Sequence, residues 1–528
     1  MKSVLFITFI CLMTPSAAHT AEWPASDDTV YIPDEYFLDA LIECGIDANG
    51  NGTIEYSETD TVTFVHVANR LVADLTGIEA FTNLRLLSCR RTSLTNIDLS
   101  ANHLLEVVYA LDANLIIMDI SNNPLLHKLY CYDNQLTTLD VSNHPSLETL
   151  HCYGNPLTDI DVTDAANLKD LRCGSSLLTE IEIPGAISLT RLEISTHNLI
   201  SLDVSGAINL EYLQCRLGSL ETLDLSNNIR LEELYCNDNE LTSLDLSNNI
   251  RLKKLRCYDN ELTSLILPES SNLETVSCHS NNLTSLVLPS CPGLRTLICS
   301  INELMEIDVS NLTSLNYFYC SSNQLSHLDL TANTALIFLR CNNNQLMSID
   351  VSHLTAFELL HCQSNLLTVV DLSCNETMQD EIVDGWYHEV ALDCSDNPLE
   401  KIRTHVYPAP YSITCDDPSI IDVGECELLS IEDPETPEGL LAALTLHQNS
   451  PNPFNPTTTI AFSLDEPGPV RLDVYDIAGR RIETLIDQSM EAGNHSLGFD
   501  AQLWPSGAYF YKLISGERSL TKKMLLVK

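Results

Sequence analysis

Cysteine recurs in this chain at a fixed interval. Cys89, Cys131, Cys152, Cys173, Cys215, Cys236, Cys257, Cys278, Cys299, Cys320, Cys341 and Cys362 all lie on a grid of 21 residues, and the two vacant points hold the apolar Ala110 and Ile194. Fourteen consecutive repeats therefore run without an insertion or deletion. A period of that length, held so strictly, calls for a solenoid in which each repeat packs on its two neighbours, rather than for one closed globular core.

Each repeat reads L-x-x-L-x-C-x-x-N-x-L-x-x-L-D-(L/V)-S-x-N-x-x, as in "LHKLYCYDNQLTTLDVSNHPS" from Leu126. The position five after the Cys slot is Leu in all fourteen repeats, from Leu94 to Leu367, and the positions eight and ten after it are always aliphatic or Met. Columns that strict belong to a buried face. Stacked at about 4.8 Å per repeat they make an array roughly 70 Å long.

The motif L-x-x-L-x-C-x-x-N-x-L resembles a leucine-rich repeat, and the L-D-L-S half is similar to the 21-residue bacterial "IRREKO" class. The resemblance covers residues 62–402. It implies a mainly β fold: a curved leucine-rich-repeat solenoid with a parallel strand from L-x-C in each repeat, and a second short strand or extended turn from the L-D-L-S half. "VTFVHVANRLVADLTGIEAFTNL" is similar to the longer repeat that opens such arrays, and "LDCSDNPLEKI" returns Cys394 and Asn397 to register after an 11-residue slip, read as a bulge or the start of a C-terminal cap over 403–429.

The repeated polar columns have structural readings. Thiols on parallel strands point the same way and fit disulfide geometry poorly, so the gridded cysteines are expected to be buried as small apolar groups. Off the grid, Cys415 and Cys426 are candidates for a cap disulfide. Asn stands three after the slot in nine repeats, where its amide can satisfy turn backbone groups. Nine after the slot runs an acidic column from Asp98 to Asp371, interrupted by Ile266 and Val287. Its members either bond turn amides and Ser hydroxyls in water or form a cation-condensing stripe.

A partner would meet the outward positions of the L-x-C strand, one and three before the slot and one after it. These hold nine of the 18 tyrosines. The candidate surface comprises Tyr109, Tyr130, Tyr132, His151, Tyr153, Arg172, Tyr235, Arg256, Tyr258, Tyr317, Tyr319, Arg340 and His361. Tyr and Arg are enriched in protein interfaces, and Tyr also stacks on sugars, so the expected partner is an extracellular protein or polysaccharide. Tyr also fills half-exposed strands on propensity alone, but these residues cluster and vary from repeat to repeat while the core does not.

The two ends of the chain read differently. Lys2, an apolar run from Val4 to Met13 and the small residues before position 19 make 1–18 a secretory signal peptide, too short to span a bilayer. Residues 30–61 form an N-terminal cap with a helix over Phe37, Leu38, Leu41 and Ile42 and the loop "DANGNGTIEYSE". That loop fits the calcium pattern, with Asp47, Asn49, Asn51, Thr53, Glu55 and Glu58 as ligands of a structural Ca2+, or it is a metal-free turn of the same shape. No second hand is present to make it a switch. At the other end, "SIEDPETPEGL" opens an acidic, Pro-containing linker (430–442). Residues 443–528 carry 8 Lys+Arg against 9 Asp+Glu, whereas the whole chain has a net charge of -46. Their alternating strands predict a β-sandwich. "PNPFNPTT", "VYDIAGR", "GAYFYKL" and "TKKMLLVK" resemble the type A sorting domain of type IX (Por) secretion, which implies engagement of that machinery and a place outside the cell or on its surface.

The acidic charge argues against nucleic acid as a partner. The sequence has no G-x-S-x-G, H-E-x-x-H, Walker or dinucleotide signature. The resulting expectation is a secreted or surface-attached binding protein without catalysis. The alternatives are a cation-stabilised surface-layer component and a cryptic hydrolase.

Overall fold

The computed structural model describes residues 28–526, apart from 143, 163–164, 176, 184, 376, 379–380, 384–386, 390, 405–411, 424–444, 447–448, 450–453, 455, 465, 476–479, 503, 506 and 517. The signal peptide and the linker expected at 430–442 lie outside the described residues. The chain divides into two compact units, 1–429 and 430–528.

The first unit is a solenoid built on a parallel sheet of 17 strands. From Phe64–His66 onward, each repeat contributes one short strand, such as Lys128–Tyr130 or Tyr317–Tyr319. Neighbours pair in a register of one repeat: Leu129 opposite Leu150, Leu234 opposite Leu255, Phe318 opposite Leu339. The core follows from the period. Leu94 and every later Leu of its column are buried, and one hydrophobic cluster runs unbroken from Val30 to Ile402. The L-D-L-S half adds short parallel pairs, among them Asn96–Asp98 with Ile117–Asp119 and Ser243–Asp245 with Ser264–Ile266.

The 11-residue slip contains a β-hairpin, Glu381–Val383 with Tyr387–Glu389. The extra residues loop out, and the sheet resumes with Leu360 opposite Leu392. It then continues past residue 402, because Leu392 and Asp393 pair in parallel with Ile413 and Thr414. The segment read as the C-terminal cap, 403–429, supplies at least one more strand of the same sheet. Ile402 remains fully buried beneath it.

The N-terminal segment closes the other end. The helix Glu35–Glu43 is capped by Asp34, whose side chain accepts from the Phe37 amide and from the amides of Ala73 and Asp74 in the first repeat. Its Phe37, Ala40 and Leu41 join the solenoid core with Val65 and Leu87. At Gly77 the cap presses directly on the first repeat. Its φ is 104°, and a Cβ there would meet Ile32 Cγ1 at 2.7 Å and the Tyr31 carbonyl oxygen at 2.9 Å.

The second unit has two antiparallel sheets. One holds Thr445–Leu446, Thr457–Leu464 and Gly493–Asp500; the other runs Arg481–Met490, Gly468–Tyr475, Gly507–Ser515, Arg518–Leu526. Their apolar residues meet in one core that includes Phe454, Phe462, Leu472, Tyr511 and Met524. Among the described residues no helix is long and apolar enough to cross a membrane.

Candidate recognition surface

The interior columns fix the strands from behind. All gridded cysteines are free, buried thiols, and burial pushes Cys131, Cys215 and Cys278 up to about 12. The Asn column works as a set of staples. Asn302 Nδ2 donates to the carbonyls of Cys278 and Cys299, one in each of two repeats, while its Oδ1 accepts from the Leu283 amide. The same bonds recur at Asn260, Asn323 and Asn344. Cys415 is a free thiol, so the expected Cys415–Cys426 bridge is not made; Cys374 is in a disulfide instead.

A second Asn column, thirteen after the slot, stands in the repeat consensus but had no role assigned to it. Asn102, Asn123, Asn228, Asn249, Asn333 and Asn375 donate to carbonyls of the preceding repeat, and their buried Oδ1 atoms have no partner. Its signal was the second N of the consensus, obscured because His144, Cys291 and Leu312 fill the same place.

The acidic column is a row of turn caps. Asp140 Oδ1 accepts from the Ser142 amide at 3.0 Å and its hydroxyl at 2.7 Å, and Asp350 treats Ser352 identically. Bonds from the following Ser hold Asp98, Asp140 and Asp203 below the usual carboxylate range.

The thirteen residues read as a surface all stand at outward positions of the solenoid, and the structure brings most of them together. Tyr109 stacks on Tyr130 with centroids 4.8 Å apart, and the Tyr130 ring meets His151 edge-on at 4.9 Å. One column over, Tyr132 stacks on Tyr153 at 4.6 Å. Burial pushes the Tyr153 hydroxyl up to about 12. His151 Nε2 lies 3.2 Å from Asp170 Oδ2, and Arg172 Nε lies 3.2 Å from Asp170 Oδ1. Burial alone would raise the Asp170 carboxyl, but His151 and Arg172 outweigh it and hold the group low. Further along, Arg256 lies over Tyr235, Tyr258 stacks on His279, and Arg340 lies over Tyr319. Tyr317 packs edge-on against Phe338, and His361 sits beside Arg340 in the next strand.

Of the residues that join Arg172 to Tyr235, Tyr212 is one of the nine outward tyrosines, whereas Arg191, Glu193, Gln214, Glu233 and Lys254 had not been singled out. Arg191 pairs with Glu193 at 3.2 Å and covers the Tyr212 ring at 3.6 Å; the Tyr212 hydroxyl donates to Gln214, and the Gln214 amide donates back to Glu193. Glu233 then accepts from the Tyr235 hydroxyl at 2.7 Å and from Lys254 at 3.0 Å. Contacts therefore run from Tyr109 to Arg256 across eight repeats, while Tyr317 to His361 forms a second patch beyond Thr296, Ile298 and Ser300. Their signal in the sequence was a base or an acid at the same outward positions, Arg191, Glu193, Glu233 and Lys254.

In the N-terminal loop the candidate ligands serve the loop's own backbone. Asp47 accepts from the amides of Gly50, Asn51 and Gly52, Asn51 Oδ1 from Thr53, and Glu58 from Ala48, Asn49 and Glu55. Glu55 accepts from the side-chain amides of Asn49 and Asn51. No group of three or more His, Cys, Asp or Glu side chains suited to a metal ion occurs among the described residues. The oxygen-only donor set nevertheless fits calcium in type.

Comparison with known proteins agrees with this architecture. A model of the secretion system C-terminal sorting domain matches residues 450–528, and a leucine-rich-repeat model of two copies matches 124–164. The chain is a leucine-rich-repeat solenoid that ends in a sorting domain of type IX secretion, which marks it for export and a place outside the cell or on its surface. Among solved structures it is similar to the functional domain of InlJ from Listeria monocytogenes, described as including a cysteine ladder, at 24% identity over 93% of this chain and 98% of that chain, with a TM-score of 0.56. It is also similar to the internalin InlF of the same organism (23% identity, 64% and 91% covered, TM-score 0.44) and to YopM from Yersinia enterocolitica (19%, 72% and 94%, 0.41). No match was found among curated proteins.

Proposed function

We propose that this exported chain is a non-catalytic binding protein that recognises a protein partner through the strand face of its solenoid. One observation carries the reading. The interior columns keep to one residue type in most repeats, Leu in all fourteen and Asn in nine with one recurring set of bonds, whereas the strand face changes its residues and contacts at almost every repeat. Tyr and Arg held against each other on a rigid sheet are pre-organised for an interface and lose little freedom on binding.

The ring geometry favours a protein over a glycan. Tyr109 and Tyr130, and Tyr132 and Tyr153, are nearly parallel, at 8° and 12°, and stack along the solenoid, so each ring spends a face on its neighbour. A sugar stacks on a ring face, while ring edges and hydroxyls suit polar and backbone groups of a protein. The test is quantitative capture of extracellular proteins by the chain and by a Tyr130→Ala, Tyr132→Ala, Tyr153→Ala variant. A true partner should fall by about tenfold or more, the loss expected of an anchor cluster, and should be retained by an Ile229→Ala, Ile250→Ala control. Equal capture by the triple variant overturns the reading.

The same reading gives the N-terminal loop a structural calcium ion, held by Asp47, Asn49, Asn51, Thr53, Glu55 and Glu58, that fastens the cap. The support is the oxygen donor set and the cap's burial of Phe37 and Leu41 against the first repeat. Calcium should raise the melting temperature relative to a chelator, and Asp47→Ala with Glu58→Ala should abolish the difference. Equal melting in both conditions overturns it.

A further inference from the structure

We infer that the protein surface bound on the strand face is rich in carboxylates. This deepens the recognition reading above and rests on it. The observation is a charge division that the fold creates. The three outward strand positions of the fourteen repeats hold eight Lys or Arg against three acids, Asp170, Glu193 and Glu233, while the rest of the chain holds 19 Lys or Arg against 70 acids. A molecule of net charge -46 therefore presents a face of net charge +5.

The three acids are already engaged. Asp170 lies between His151 and Arg172, Glu193 is paired with Arg191, and Glu233 is held by Lys254 and the Tyr235 hydroxyl. The bases outnumber them, and two are set on aromatic supports, Arg256 at 5.4 Å from the Tyr235 centroid and Arg340 at 5.1 Å from that of Tyr319. Arg256 is exposed, and a guanidinium resting on a ring keeps its in-plane N–H fork, the geometry that matches a carboxylate.

The face is narrow. The columns on its two margins, four before the slot and two after it, hold five Lys or Arg against ten acids. Screening makes so thin a seam legible: at physiological ionic strength the Debye length is about 8 Å, so a group docked on the strands feels the seam and its margins rather than the charge of the whole chain. A complementary surface has carboxylates at its centre and basic residues at its rim. Long polyanions, which cross the acidic margins, fit less well.

The test uses fluorescein-labelled hexaglutamate and the full chain at physiological salt, with binding read by fluorescence anisotropy. Arg256→Gln with Arg340→Gln should weaken hexaglutamate binding by about fivefold or more, as loss of two direct charge contacts predicts. Arg230→Gln with Arg251→Gln, which alters net charge equally but off the face, should leave it unchanged. Arg256→Lys with Arg340→Lys, which keeps the charge but not the fork, should fall between the parent and the Gln pair, which separates charge from folding. Absence of hexaglutamate binding, or equal loss in the two Gln pairs, overturns the inference. Binding of polygalacturonate without hexaglutamate also overturns it, by assigning the carboxylates to a polysaccharide. If hexaglutamate binding depends on the face arginines while partner capture survives the Tyr triple variant, the charge inference stands and the recognition reading falls; the reverse pattern separates them the other way.

Discussion

Two polar columns of the same solenoid behave differently. In the acidic column, Asp98, Asp203 and Asp245 each cap the turn ahead through the residue two positions on, and one repeat copies the next. On the strand face, Asp170, Glu193 and Glu233 each meet a different set of partners. A bond repeated without variation solves a problem common to every repeat, the orphaned amide of a turn. Bonds that change from one repeat to the next solve no common problem of the fold, and they are where selection for a partner is free to act.

The sharpest way to break that contrast is to damage the uniform interior. Asn302→Ala removes bonds to Cys278, Cys299 and Leu283 inside the core. It should destabilise the solenoid by about 2 to 4 kcal/mol, read as a lowered urea midpoint. In the second Asn column, Asn249→Leu removes two bonds to the carbonyls of Leu225 and Asn228 together with an oxygen that has no partner, and Leu312 and Leu354 already fill that column elsewhere, so its cost should be smaller, about 1 to 2 kcal/mol. Equal losses at the two sites would show that the columns are equivalent.

A smaller effect is expected at the acidic column. Asp245 is held low by its bonds from Ser247. A depressed folded value means that its contribution is fully present above the usual carboxylate range, about 4, and is lost as pH falls through the lower folded value. The Asp245→Ala variant should therefore be slightly less stable than the parent at pH 7, and the two should converge in urea titrations as pH falls below the usual carboxylate range. A gap that widens on acidification would contradict the cap. The face variants described above should leave the urea midpoint least changed of all, since the rings under Arg256 and Arg340, Tyr235 and Tyr319, belong to the strand face rather than to the core. Loss of stability there would merge the two columns into one structural class.

Much of this was legible in the chain. The 21-residue period, the Leu column and the nine Asn staples needed no coordinates, because a solenoid repeats its core at a fixed interval and a buried column tolerates few residue types. Other features were not legible. The 11-residue slip reads equally as a bulge or as the start of a cap, and only the fold decides for the bulge: a hairpin absorbs it and the sheet continues, since backbone pairing depends on where the strand resumes rather than on how many residues intervene. Cys415 looks available for a bridge, but the fold leaves it as a free thiol, because pairing is set by distance in space.

The sequence by itself determined the architecture, the buried columns and the exported fate, all of them properties of local pattern that repeat or sit at a chain end. Only the tertiary structure decided the character of the face. Arg172, Glu193, Tyr212, Glu233 and Lys254 lie about one repeat apart in the chain, and stacking strands in register brings each within reach of the next. That proximity turns three acids into quenched partners and leaves a basic seam on an acidic molecule.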